Sequence, residues 1–225
     1  EPGEKLLLLN EETVEPAADT ALITDQARPL AMAGIMGGEE SGITLATRDL
    51  FLESAFFSPD AIAGKARALG FSSDASYRYE RGVDFMLQRR AIERATQLIL
   101  EICGGRPGPV VEAVAEDCLP QRAPVRLRAA RAARVIGIPF TDAQIARLIQ
   151  GMGFPFDRDG EGTDSVFTVT PPSWRFDIAI EEDLIEELAR LHGYDNIPAR
   201  APRAPMAMLP QAEAWRGPMA LRRAV

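Results

Sequence analysis

Four acidic residues around the start of one periodic segment are the clearest candidates for chemistry in this sequence. If the segment after Ile180 is helical, Asp183, Glu186 and Glu187 lie within a sector of about 100°, and Asp177 comes just before them. Carboxylate oxygens are ligands that Mg²⁺ prefers, and nothing in the group would select zinc. Acidic residues at a helix N-terminus also interact favourably with the helix dipole while they stay solvated. The spacing alone therefore leaves a magnesium site and a solvated helix face open.

Further polar candidates lie between residues 53 and 84. Glu53 interrupts the apolar run "LFLESAFF" and faces either solvent or the interior, where a carboxyl would need a hydrogen-bond partner. The stretch "SSDASYRYERGVD", residues 72–84, is consistent with an internally paired loop or with the lip of a pocket. The single histidine, His192, precedes a glycine at a predicted helix end, where it suits a C-terminal cap. No nucleophile that depends on histidine is therefore expected within this sequence.

A glycine-rich stretch, "LAMAGIMGGEESG" at residues 30–42, has to be distinguished from a phosphate-binding loop. Two glutamates follow Gly37-Gly38, and their charges would repel a phosphate bound to the same amides. The Lys and the Ser or Thr that usually accompany a phosphate loop are also missing. The stretch therefore predicts a strand over residues 30–35 that ends in a glycine turn at Gly37-Gly38.

The composition limits the classes of protein to be considered. A chain of 225 residues that is 46% hydrophobic can bury a core, and we expect two domains. The formal charge of -8 argues against a protein that binds nucleic acid by electrostatics alone. Cys103 and Cys118 have no CxxC spacing, which disfavours a disulfide framework or a zinc knuckle and favours a reducing cytoplasm. Neither a signal peptide nor an apolar run of about 20 residues, the length needed to span a bilayer, is apparent.

The first half of the chain is predicted to be rich in β-structure before it becomes helical. The runs "KLLLL", "TALIT", "LAMAGI" and "DLFLESAFF" read as short strands. Ser58 is a good N-cap before a proline, and one helix is expected from there to Gly70. A second helix is expected over about Asp84–Cys103, where apolar residues recur at helical spacing.

The second half is predicted to be richer in helix, after a boundary near Leu119–Ala123. A short helix is expected over residues 126–136, and Thr141 with Gln144 forms a capping box that opens another. The run "SVFTVTPPSWRFD" predicts a strand, and "ARAPRAPMAMLP" after Pro198 predicts a linker. The most periodic helix should bury one face, made of Ile180, Leu184, Leu188 and Leu191.

Four separated blocks of the sequence carry a specific resemblance. "AMAGIMGGEESGI", "LESAFFSPDAIAGKARALGFSSDASYRYERGVD", "RAIERATQLILEICGG" and "PSWRFDIAIEEDLIEELARLHGYDNIP" resemble, in this order, the β subunit of bacterial phenylalanyl-tRNA synthetases. The resemblance implies an α+β fold in which a mixed β-sheet domain with helices precedes a small helix-rich domain. Residues 1–120 would be the second part of the B3/B4 editing domain. Residues 122–200 would be the B5 domain, and residues 201–225 a linker and the start of the catalytic-like B6 module.

The resemblance also implies a function. Members of this family attach phenylalanine to tRNA(Phe) in an α2β2 assembly whose α subunit holds the synthetic site and uses ATP. The β subunit hydrolyses Tyr-tRNA(Phe), because a pocket for an apolar ring discriminates incompletely against an added hydroxyl. The family's pocket histidine would lie upstream of Glu1, so neither synthesis nor editing is expected from this chain alone. A free-standing editing hydrolase is disfavoured for the same reason.

Individual residues acquire implied roles by position. Ser73 stands where relatives commonly have Thr, and Tyr77 where they often have His. Glu53 would accept a hydrogen bond from the tyrosine hydroxyl, and the glycines of residues 30–42 would let the backbone approach a bound amino acid. The implied editing pocket consists of Ala33, Gly34, Glu53, Ser73 and Ala75.

The resemblance further implies that the acidic residues bind Mg²⁺ at a site shared with the α subunit. The implied ligands are Asp177, Asp183, Glu186 and Glu187. The implied partners are the α subunit and tRNA(Phe), with no membrane. The alternative is a non-catalytic nucleic-acid or protein interaction module, since B5-like folds resemble DNA-binding domains in shape. The basic run "RAARAAR" favours that alternative, while the acidic residues that follow oppose it.

Overall fold

A computed structural model describes residues 3–199 and 217–223 of the chain. It contains both sheets and helices, which confirms the predicted α+β class. The predicted linker after Pro198, and most of the region assigned to the start of B6, lie outside the described residues. Within the described residues, no helix is both long enough and apolar enough to cross a bilayer.

Short antiparallel strands open the first unit, residues 3–104. A strand pair precedes a three-stranded sheet whose spatial order follows the chain. The predicted turn at Gly37-Gly38 is wrong, because Met32 pairs with Met36 and the chain reverses at Gly34, whose φ of +65° favours glycine. The strands are β1 Leu6–Leu7, β2 Thr13–Val14, β3 Leu22–Thr24, β4 Pro29–Met32 and β5 Met36–Gly37.

The run "DLFLESAFF" is not a strand, which corrects the prediction. Residues 49–57 belong to no helix or strand, although their composition has high β propensity. Leu45 and Phe51 are fully exposed in the same irregular region. A strand needs a neighbour to receive its backbone hydrogen bonds, and no described strand pairs with this segment. Its position is therefore set by side-chain contacts.

Four helices follow in the first unit. The single helix expected up to Gly70 is instead two short ones, because Gly64 adopts a left-handed φ of +76° between them. The long helix begins at Gln88 rather than near Asp84, whose carboxylate accepts from the Met86 amide at 2.9 Å. The helices are α1 Pro59–Ile62, α2 Lys65–Ala68, α3 Asp74–Tyr79 and α4 Gln88–Cys103.

The second unit, residues 125–194, is a three-stranded antiparallel sheet covered by helices. Part of the helix predicted over residues 126–136 is a strand, since Val125 and Leu127 alternate inward, and a strand at Phe156 was not predicted. The sheet order is β6-β8-β7. The elements are β6 Val125–Arg128, α5 Ala129–Ile136, α6 Asp142–Gly151, β7 Phe156–Asp159, β8 Val166–Val169 and α7 Glu181–His192.

The interior of the second unit forms around helix α7. The capping box of Thr141 and Gln144 is confirmed at the start of α6. Leu184 and Leu188 are buried as predicted, but Ile180 and Leu191 are exposed, and Ile185 and Ala189 are buried instead. The remaining elements are α8 Pro218–Arg222 and short 3₁₀ turns at Glu39–Ser41, Glu116–Cys118, Gly162–Asp164 and Tyr194–Asn196.

Candidate functional site

The turn between β4 and β5 is joined to the start of helix α3. The Ser73 hydroxyl donates to the carbonyl oxygen of Ile35 at 2.5 Å. The same hydroxyl accepts from the amide of Ser76 at 3.0 Å, while the Ser76 hydroxyl accepts from the amide of Ser73 at 3.0 Å. Ser73 is thus the N-cap of α3 and a link to the turn. The hydroxyl of Ser73 thus acts as a donor in one contact and as an acceptor in the other.

Gly34 lies at the tip of that turn against aromatic rings. A Cβ placed on it would lie 3.1 Å from Phe57 Cδ2, 3.1 Å from Tyr79 Cγ and 3.3 Å from Ile62 Cδ1. Ala33 beside it is buried. The turn therefore has no room for a side chain, for steric as well as conformational reasons. In this structure aromatic rings lie beside Gly34, and the close approach to a bound amino acid that the resemblance implies stays a prediction.

Glu53 and Tyr79 form the polar part of this region. The Tyr79 hydroxyl donates to the carbonyl oxygen of Ala55 at 3.0 Å, and its ring lies 5.5 Å from the ring of Phe57. Glu53 is exposed as a whole residue, yet partial burial of its carboxyl raises its pKa. Burial, and then the nearby charge of Glu53, raise the pKa of the Tyr79 hydroxyl. The two groups therefore belong to one local electrostatic environment.

Two further residues with implied roles, Ala75 and Tyr77, lie on helix α3 and differ in exposure. Ala75 is half-buried, whereas Tyr77 is exposed and the guanidinium of Arg81 lies 3.7 Å from its ring centre. The structure thus brings together Ala33, Gly34 and Ser73, and it relates Glu53 to them through Tyr79. Sequence reasoning missed Tyr79. Its spacing of three residues from the buried Ser76, on one helical face, is the signal that could have found it.

Arginines neutralise two of the four acidic residues in the second unit. Arg175 donates to both oxygens of Asp177, at 2.8 and 2.6 Å, and lowers the pKa of that carboxyl. Arg190 donates to the buried Glu187 at 2.5 and 3.1 Å, and Arg175 reaches it at 3.1 Å. These hydrogen bonds, from Arg190 foremost, lower the pKa of Glu187. The guanidinium groups of Arg175 and Arg190 therefore already neutralise these two carboxylates.

The other two acidic residues have separate surroundings. One Asp183 oxygen accepts from the amides of Ala179 and Ile180, at 2.7 and 2.8 Å, and so caps the start of α7. Glu186 is exposed. No group of three or more acidic, histidine or cysteine side chains within residues 3–199 and 217–223 is arranged to hold a metal ion. The four residues, as placed here, do not fit Mg²⁺ as a common ligand set.

The basic helix that favoured an interaction module is paired within its own unit. Arg128 donates to Glu181 at 2.5 Å through its side chain and at 2.8 Å through its backbone amide. Arg131 contacts the same carboxylate at 3.2 Å and pairs with Glu182. The first turn of α7 thus pairs with Arg128 at the end of β6 and with Arg131 on α5, two of the three arginines of the basic run. This arrangement weakens the case for binding to nucleic-acid phosphates.

Comparisons with known proteins agree with the two units. Residues 1–104 match the family described as B3/4 domain, and residues 125–194 match the tRNA synthetase B5 domain. The chain is 64% identical over 214 residues to a phenylalanine–tRNA ligase beta subunit from Aromatoleum aromaticum, covering 95% of this chain and 26% of the relative. The corresponding protein of Dechloromonas aromatica is 62% identical over 221 residues, covering 98% and 27%. The chain thus spans about a quarter of the length of these curated relatives.

Proposed function

Because the chain belongs to the phenylalanine–tRNA ligase beta-subunit family by both of its domains, we propose that it contributes to proofreading in that ligase. The first unit would supply one side of a pocket that hydrolyses Tyr-tRNA(Phe). The second unit would serve subunit packing as the B5 domain. In this proposal residues 1–120 are the second part of B3/B4, residues 122–200 are B5, and residues 201–225 lead into B6.

The observation that carries the proposal is the junction around Tyr79. The β4–β5 turn, the N-cap of α3 and the segment from Glu53 to Phe57 meet there, although they are far apart in sequence. Ala33, Gly34, Ser73 and Ala75 would form its walls. A half-buried tyrosine hydroxyl with a carboxyl nearby, among aromatic and small side chains, is typical of a pocket that positions a small amino acid.

Glu53 would supply the chemical discrimination. Partial burial of its carboxyl, which raises its pKa, would make a hydrogen bond to a ligand hydroxyl stronger there than in water. Tyrosine can donate such a bond and phenylalanine cannot. A site built to bind a hydroxyl leaves a polar group unpaired when the hydroxyl is missing, and this disfavours the analogue. Glu53 would thereby select the misattached amino acid for hydrolysis.

The test measures hydrolysis of Tyr-tRNA(Phe) by the complete β subunit assembled with its α partner. We expect Glu53→Ala to lower the rate about ten- to a hundredfold, the range for loss of a hydrogen bond to a charged group. Ala75→Trp should block entry and have a comparable effect. Attachment of phenylalanine with ATP should continue in both variants, because the α subunit would hold the synthetic site.

Matched controls keep this test specific. Glu15→Ala removes an exposed carboxylate, and Ala63→Trp adds a bulky ring to an exposed position of the same unit. Both should hydrolyse Tyr-tRNA(Phe) at the wild-type rate. If Glu53→Ala and Ala75→Trp also do so, these residues are structural and the pocket proposal is wrong.

The proposal includes the other components of the assembly. Its partners would be the α subunit, in an α2β2 tetramer, and tRNA(Phe), and it would act in the cytoplasm. The α subunit would use ATP. A Mg²⁺ site shared with the α subunit stays a prediction for the assembled enzyme. It would require the carboxylates to exchange arginine partners for the metal, since two of them are paired in this structure.

A further inference from the structure

An aromatic cluster joins the two units. The ring of Phe176 lies 6.3 Å from that of Phe56 in a stacked arrangement and 6.2 Å from that of Phe85 at 89°. Phe56 and Phe85 lie 6.0 Å apart in an edge arrangement. All three are partly buried. Two of these rings come from the first unit and one from the second, so the cluster is a contact between domains.

Phe176 also lies against bare backbone at Gly82. A Cβ on Gly82 would be only 2.3 Å from Cγ of the Phe176 ring, and all three nearest atoms belong to that ring. The φ of Gly82 is +96°, which L side chains rarely adopt. Gly82 is therefore required twice, once for its conformation and once for the space that the ring fills.

The loop that carries Phe176 is held on both sides. Arg175 is fixed by its bidentate contact with Asp177 and by Glu187. Arg122 donates to the carbonyl oxygen of Ile178 at 2.9 Å and to that of Arg175. These contacts restrict the backbone on either side of Phe176. Asp177 and Glu187, which the resemblance implied as metal ligands, thus help to fix the position of the Phe176 side chain.

The docked ring contacts residues that adjoin the proposed pocket. Phe56 contacts Phe176, while the next residue, Phe57, packs against Tyr79 and Gly34. The Gly82 amide donates to the Tyr79 carbonyl oxygen at 3.1 Å. Two short backbone paths, one through Phe56 and Phe57 and one through Gly82, therefore connect the domain contact to Tyr79.

We propose that Phe176 is a positioning residue that docks on Gly82 and Phe56 and holds the Tyr79 side of the pocket in place. The second domain would thereby set the geometry of the site in the first domain. The effect on editing rests on the proposed function, whereas the docking itself does not.

Hydrogen exchange in the full chain tests the docking. Phe176→Ala should raise amide exchange in residues 53–58 and 79–87 about tenfold, as expected when aromatic contacts worth about 1.4 kcal/mol in total are lost. Phe176→Tyr should restore protection because it keeps the ring. Gly82→Ala should act like Phe176→Ala. Gly70→Ala is its matched control, with a φ of +84° and no atom within 4 Å of the added Cβ. Unchanged exchange in Phe176→Ala would overturn the inference.

Editing by the complete assembly tests the positioning role. Phe176→Ala should lower kcat for Tyr-tRNA(Phe) hydrolysis several-fold with little change in KM, and Phe176→Tyr should rescue it. Faster exchange with unchanged hydrolysis would show a purely structural contact and overturn the positioning inference. If Glu53→Ala leaves hydrolysis intact while Phe176→Ala speeds exchange, the pocket proposal fails and the docking stands.

Discussion

The two units of this chain bury their apolar residues to different extents. Among the described residues, the core of the second unit contains thirteen buried residues and that of the first contains seven. The first unit is the longer of the two, yet it leaves Ile43, Leu45 and Phe51 largely or fully exposed. Its strands are two to four residues long, and residues 49–57 pair with none of them.

The second unit is therefore the more stable scaffold, whereas the first unit carries the proposed pocket. In the second unit, helices α5 to α7 cover the sheet, and the burial of apolar side chains stabilises the unit. The proposed pocket in the first unit is held by a few specific contacts, such as Ser73 to Ile35 and Tyr79 to Ala55. Regions with few buried contacts open locally at lower free energy. The proposed pocket is therefore the part whose geometry most depends on its neighbours.

The largest expected effect comes from breaking the core of the second unit. Phe167 is fully buried on β8, and its ring lies 5.6 Å from that of Phe156. Phe167→Ala should lower the free energy of unfolding of this unit by about 4 kcal/mol, because a cavity remains where the ring was. Hydrogen exchange in each unit, recorded at increasing denaturant concentrations, would measure this change. Equal loss of protection at Leu8 and Leu127 would contradict the view that the two cores are separate.

A smaller effect is expected at the arginine-neutralised carboxylate. Glu187→Ala should lower the free energy of unfolding by about 2 kcal/mol, since Arg175 and Arg190 lose a shared charged partner. Glu186→Ala, an exposed neighbour on the same helix, is the matched control and should change stability little.

Thermal unfolding of the wild-type chain should be the same in EDTA and in millimolar Mg²⁺. A rise in the wild-type midpoint with Mg²⁺ would support the metal assignment instead.

The smallest expected effect is the pH dependence contributed by Glu53. Because its pKa is raised in the folded chain, the folded state binds more protons, and this contribution to stability falls as pH rises from the ordinary carboxyl range through the raised pKa. Glu53→Gln should therefore raise the thermal midpoint slightly at neutral pH and lose that advantage in acid. Glu15→Gln, at an exposed position of the same unit, is the matched control. A Glu53→Gln advantage that is independent of pH would argue against desolvation.

Sequence by itself determined the features that depend on hydrogen bonds between residues close in the chain. The capping box of Thr141 and Gln144 and helix α7 with its acidic first turn follow from local spacing. Tertiary structure decided which groups meet across long separations. Arg175 with Glu187, Tyr79 with Gly34 and Phe176 with Gly82 depend on how the chain returns to itself. The irregular course of residues 49–57 has the same cause, because β propensity produces a strand only where another strand is available to pair with it.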